Sequence, residues 1–172
     1  GKDRSGCPAM ASQREIQRTY DFMDRIVRLG LGECPDLSCA FYNGDYSQTL
    51  EQAQQAKHAY ILEAVRLKPG MRLLDIGSGW GPMLRAARDH GAHAIGLTLS
   101  PKQAMACRRP GLEVYLRDWK TLARGEWEGF DAIVSSGPCE ALCSPAEPLR
   151  GKQAAINGPV REPLRPLLAG GL

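Results

Sequence analysis

Leu73-Leu74-Asp75-Ile76-Gly77-Ser78-Gly79-Trp80-Gly81 reads as a short buried strand that runs straight into a glycine-rich turn. Glycine accepts positive φ without a Cβ penalty and lets backbone approach a ligand closely. Asp75 sets a carboxylate in an apolar run, where burial demands a partner. The spacing is G-x-G-x-G, and Pro82 stands where a dinucleotide-binding G-x-G-x-x-G fingerprint has its third glycine. The pattern weighs against a nicotinamide cofactor and toward S-adenosylmethionine (SAM).

Outward from this turn, strands and helices alternate. A strand over Met71 to Ile76 precedes a helix over Met83 to His90, with Gly91 as its stop. A strand over Ala92 to Leu97 leads to a short helix opening at Ser100-Pro101, a good N-cap and first-turn pair, with Gln103 at the third helical position. Strands follow over Leu112 to Leu116 and Phe130 to Ser135. Alternation of this kind predicts an α/β fold, Rossmann-like, with a parallel sheet and flanking helices. Ligands bind such sheets beyond the carboxyl ends of the strands. The Gly77–Gly81 turn, Thr98, Asp118 and the segment from Ser135 to Glu140 all fall at that rim.

Upstream, Ile16, Tyr20, Met23, Ile26, Val27 and Leu31 recur at helical spacing, and Gly30 and Gly32 are expected to loosen the end of that helix. Cys34 to Tyr46 is loop-like. Thr49 with Gln52 forms a capping box for a long helix running to about Leu67 and stopping at Pro69-Gly70. Downstream, Pro145, Pro148, Pro159, Pro163 and Pro166 forbid one regular helix over the tail. With no strand after the fourth, the later strands of the sheet are expected to be missing, which leaves an inner strand as an exposed, association-prone edge. The divisions read from these features are residues 1–15 as a disordered leader, 16–68 as an N-terminal helical segment with a cofactor loop, 69–140 as the SAM-binding core, and 141–172 as a degenerate proline-rich tail.

With 172 residues, the chain is long enough for one domain with a real core. Its net charge of +3 is spread among acids, so no basic stripe argues for nucleic acid. No apolar run approaches the roughly 20 residues that span a bilayer, and no signal-peptide pattern is present, so a cytoplasmic location is expected. The six cysteines make no C-x-x-C pair, and the Cys34/Cys39 and Cys139/Cys143 spacings do not suit the common zinc fingers. No metal site is expected.

Taken together, Leu37-Ser38-Cys39-Ala40-Phe41-Tyr42, Thr49-Leu50-Glu51-Gln52-Ala53-Gln54, Lys68-Pro69-Gly70-Met71, the glycine turn, Gly96-Leu97-Thr98-Leu99-Ser100 with Gln103, Asp118-Trp119, and Asp131 to Ser135 with Glu140 resemble the cyclopropane-fatty-acyl-phospholipid synthases and mycolic acid cyclopropane synthases. The match runs from about Tyr20 to Glu140. The resemblance implies a class I methyltransferase fold and SAM-dependent transfer of a methyl group to the cis double bond of an unsaturated acyl lipid. Proton removal then closes a cyclopropane ring. By resemblance, Ser38 reaches the cofactor's amino-acid end, and Gly77 and Gly79 approach its methionine and ribose. Asp75 orders the loop or reaches the ammonium through water. Thr98, Leu99 and Gln103 stand at the ribose, and Asp118 and Trp119 at the adenine. Bicarbonate is implied as the base, held by Cys39 and Glu140. A lipid acceptor also implies peripheral membrane contact, for which Arg14, Arg18, Arg25 and Arg28 are candidates, although the intervening Glu15, Asp21 and Asp24 favour a plain solvated face.

The chain departs from this pattern in places. Leu37 stands where the family usually has Tyr, and Ser78 where it has Cys. Pro138-Cys139-Glu140-Ala141 lacks the His that follows the family's Glu. A non-catalytic SAM-binding homologue, and a small-molecule methyltransferase, are therefore alternative readings. Each site residue also has a plainer role open to it: Glu140 as a solvated junction residue, Cys39 as a small buried hydrophobe, Asp118 as a turn former and Trp119 as a core cap. His58, on the long helix, is expected at the surface.

Overall fold

The computed structural model describes residues 13–31, 35–121 and 129–136. The expected tail and Glu140 lie outside the described residues, as do residues 1–12 of the expected leader; Gln13 to Glu15, assigned to that leader, instead form the first turn of a helix. Helix α1 (Gln13–Leu31) runs through Gly30 rather than loosening there. Helix α2 (Leu50–Ala64) opens on the expected capping box, in which the Thr49 hydroxyl accepts from Gln52 N and the Gln52 side chain accepts from Thr49 N. Then come β1 (Arg72–Ile76), α3 (Pro82–Asp89), β2 (His93–Thr98), α4 (Pro101–Arg108), β3 (Glu113–Leu116), a 3-10 turn (Trp119–Thr121) and β4 (Ala132–Val134).

Helix α2 ends at Ala64, short of the expected Leu67. The cause is a left-handed turn at Arg66, φ 51°. There Leu67 N donates to Leu62 O at 2.9 Å and Arg66 N to Glu63 O at 2.8 Å. This closure satisfies the last carbonyls and folds Leu67 back onto Leu62 in the core.

All strands are parallel, in the order β3-β2-β1-β4. The chain steps outward from β1 through β2 to β3, and β4 then returns to the opposite side of β1. Strand order therefore reverses between β1 and β4, the place where open α/β sheets form a ligand crevice. One core cluster joins Leu62, Leu67, Leu73, Met83, Ala87 and Val134, and a second joins Leu84, Ala104, Cys107, Leu112 and Val114. Leu73 is fully buried and Leu74 2 % exposed, as a central parallel strand requires. Among the described residues no helix is long and apolar enough to cross a membrane.

Candidate functional site

A cavity of about 150 Å³ lies over the carboxyl ends of β1, β2 and β4. Its floor is the glycine turn. Gly77 N and Ser78 N both donate to Leu97 O at 2.9 Å, which pins the turn to the end of β2. Gly77, Gly79 and Gly81 all have positive φ, at 77°, 54° and 83°. At Gly81 a Cβ would also stand 2.7 Å from Leu112 Cδ1, so glycine is required there by conformation and by space.

Seven of the expected cofactor residues line this cavity: Ser38, Asp75, Gly77, Gly79, Thr98, Leu99 and Gln103. Asp75 is 2 % exposed, and its Oδ1 has no hydrogen-bond partner among the described residues. Burial, assisted by the charge on Asp36, pushes its carboxyl up to about 7. On the β2 side, Thr98 Oγ1 donates to Gln103 Oε1 at 2.7 Å and accepts from Ser100 N at 3.2 Å. Ser100 caps α4 by accepting from Gln103 N at 3.2 Å. Cys39, Asp118 and Trp119 are not among the residues that line the cavity. Cys39 is exposed rather than buried, and Asp118 and Trp119 are half-buried where the chain leaves β3.

Sequence reasoning missed one cluster at the cavity wall. Asp36 lines the cavity beside Ser38 and is only 8 % exposed. Its Oδ1 accepts from Ser38 N at 2.9 Å and from Ser38 Oγ at 2.5 Å. Its Oδ2 accepts from Lys57 Nζ at 2.5 Å and pairs with His58 Nε2 at 2.8 Å. Burial opposes ionisation of Asp36, but the hydrogen bonds from His58, Lys57 and Ser38 outweigh it and hold the carboxyl well below the usual range. His58 is thus buried, at 8 % exposure, rather than on the surface as expected, because it faces a buried carboxylate and not solvent. The Asp36-x-Ser38 spacing is a local turn signal. Nothing in the sequence joins Asp36 to a histidine 22 residues away.

The acids of α1 also depart from expectation. Asp21 and Asp24 do not belong to a solvated face. Asp21 Oδ1 accepts from Ser100 Oγ at 2.6 Å, and Asp24 Oδ1 accepts from Trp80 Nε1 at 2.6 Å. Tyr20 meets Trp80 edge-on, with ring centroids 6.4 Å apart, and itself lines the cavity. Helix α1 is therefore fastened beside the cavity by polar contacts as well as by Val27.

Comparison with known proteins bears on this arrangement. The mycolic acid cyclopropane synthetase family matches residues 9–146. The cyclopropane mycolic acid synthase MmaA2 of Mycobacterium tuberculosis is 41% identical over 132 residues, covering 73% of this chain and 45% of the relative. A probable fatty acid methyltransferase of the same organism is 38% identical over 133 residues, covering 74% of this chain and 31% of the relative. The chain thus spans less than half the length of these curated relatives. Among solved structures, the mycolic acid cyclopropane synthase CmaA1 complexed with SAH and CTAB aligns with a TM-score of 0.65 at 34% identity, over 75% of this chain and 47% of that one. The family match covers most of the sequence, so the chain belongs to the mycolic acid cyclopropane synthetase family.

Proposed function

We propose that the protein is a SAM-dependent enzyme that transfers a methyl group to the double bond of an unsaturated acyl lipid, forming a cyclopropane ring. The observation that carries this reading is the pairing of an unpartnered, buried Asp75 oxygen with a glycine-floored cavity in a chain of this family. SAM is cationic at its sulfonium and its ammonium, and a cavity with an unpartnered Asp75 oxygen in its wall suits such a ligand. When bound, the cofactor supplies an electrophilic methyl group.

The chain's own residues would bind and orient. Ser38 stands for the amino-acid end, Asp75 for the ammonium, Gly77 and Gly79 for close backbone approach, and Thr98, Leu99 and Gln103 for the ribose. With Gln103 Oε1 taken by Thr98, its amide N–H groups remain for ribose oxygens. An alkene is a weak nucleophile, so holding it close and in line is the main service a site can render. Tyr20 of α1 and Trp80, which it meets edge-on, put apolar ring surface on the cavity wall. Cys39 lies on the loop next to Ser38 and is the residue we assign to the acceptor side, with Glu140 its proposed partner. Contact with a lipid surface belongs to this reading, since α1 exposes Phe22, Ile26 and Leu29 beside Arg18 and Arg25.

Calorimetric titration with SAM and SAH tests the first step, with micromolar binding expected. No binding at millimolar ligand overturns the proposal. Gas chromatography of lipids from cells expressing the protein tests the second. Cyclopropane fatty acids support the reading, and their absence overturns it.

A further inference from the structure

We propose that Asp36 is a positioning residue that fixes the Ser38 hydroxyl at the cavity wall, and that Lys57 and His58 on α2 hold it there. The inference rests on reading the cavity as the site for the amino-acid end of the cofactor. It is carried by the geometry of one carboxylate. Two donors of Ser38 occupy Oδ1, and the two cationic or ring donors of α2 occupy Oδ2. With Asp36 ionised, His58 Nε2 carries a proton and donates. The Asp36 carbonyl is taken as well, accepting from Gln54 Nε2 at 2.7 Å.

Gln54, Lys57 and His58 lie at i, i+3 and i+4, so one face of a single helix grips a single residue. Lys57 Nζ reaches past Asp36 to Ser38 Oγ at 2.5 Å. The Ser38 hydroxyl therefore gives its proton to Asp36 and receives one from Lys57, and its rotor is set before any ligand arrives. A buried carboxylate is tolerated only where donors meet its lone pairs in good geometry. Here all are met, and the result is a loop whose polar atoms hold fixed directions at the wall of the cavity. Asp36→Asn keeps the shape of the side chain but replaces one acceptor oxygen by a donor facing Lys57 or Ser38.

The test compares two ligands in titrations of the full chain. SAH carries the amino-acid end, and methylthioadenosine lacks it. For Asp36→Asn we expect SAH to bind at least about tenfold more weakly, the loss of one charge-assisted hydrogen bond, with methylthioadenosine affinity unchanged. His58→Ala, which leaves the Lys57–Asp36 pair in place, is expected to weaken SAH about threefold with the same ligand dependence, and it serves as the test if Asp36→Asn fails to fold. Unchanged SAH affinity in the variants overturns the proposal. Equal weakening of both ligands also overturns it, because a merely structural role would act on the whole cavity. If the unsubstituted protein binds neither ligand, the cofactor reading fails and takes this inference with it.

Discussion

Asp75 is a residue the fold would rather keep neutral. It is buried at the end of the central strand with an unmet oxygen, and its carboxyl is pushed up to about 7 from an ordinary value of 3.8. In the unfolded chain the group loses its proton first, so its neutral form favours the fold. That contribution is whole below about pH 4 and is lost as the pH rises through about 7. Asp36 has the opposite sign, but with its carboxyl held low it is ionised in both states across this window and adds no slope there. We therefore expect the melting temperature of the ligand-free protein to fall between about pH 5 and pH 7. Asp75→Asn should flatten this part of the profile, and thermal melts across the range check it. Parallel slopes in the two proteins would exclude Asp75 as the titrating group. A cationic ligand should gain affinity over the same range in the unsubstituted protein, because it meets the charged form. Asp75 was legible in the sequence because a carboxylate between Leu74 and Ile76, just before a glycine turn, has few structural excuses. Asp36 and His58 were not, since their pairing depends on how the 35–38 loop lies along α2.

The elements show which sequence signals are reliable and why. Helices α2, α3 and α4 all end in the same way. Leu67 N donates to Leu62 O, Ala92 N to Ala87 O and Leu112 N to Cys107 O, at 2.9, 3.0 and 3.0 Å. Gly91 and Gly111 announce two of these closures, with φ of 85° and 76°. Arg66 makes the third without glycine, so α2 stops short of the expected Leu67, whereas α3, with Gly91 as its signal, ends at Asp89, one residue from the expected His90. Start signals held better, because a capping side chain is local. Ser100 both caps α4 and donates to Asp21 of α1. Ser100→Ala should cost about 1–2 kcal/mol, above a simple cap deletion, because it also strands a carboxylate. Chemical denaturation gives the value, and a loss within 0.5 kcal/mol would mean that neither bond contributes. Gly96 offers a sharper case. It lies mid-strand in β2, where a Cβ would sit 2.6 Å from Ser78 Oγ and 2.7 Å from Leu84 Cδ1. Gly96→Ala should destabilise by about 1–3 kcal/mol through overpacking and should loosen the turn that Ser78 anchors. A variant as stable as the parent would show that the turn yields freely.

At the scale of the molecule, the alternation of strands and helices gave away the parallel sheet, while the docking of α1 was hidden. Its apolar spacing predicted a helix, but Phe22 and Leu29 face solvent, at 75% and 80% exposure, while Asp21 and Asp24 face inward. Among the α1 side chains described, only Val27 is buried. The helix is thus held by two carboxylate contacts, a bond from Lys102 Nζ to Asp21 O at 2.6 Å, one aromatic edge and one small apolar cluster, whereas β1 is paired on both sides and packed on Leu73 and Leu74. Local opening should follow that difference. Amide hydrogen exchange is expected to be at least about 100-fold faster in α1 than in β1, as a gap of roughly 3 kcal/mol in opening energy requires. Because Tyr20 of α1 lines the cavity, SAH should slow exchange in α1 and in the Gly77–Gly81 turn more than in β3. Equal protection of α1 and β1 without ligand would make the helix part of one cooperative unit with the sheet.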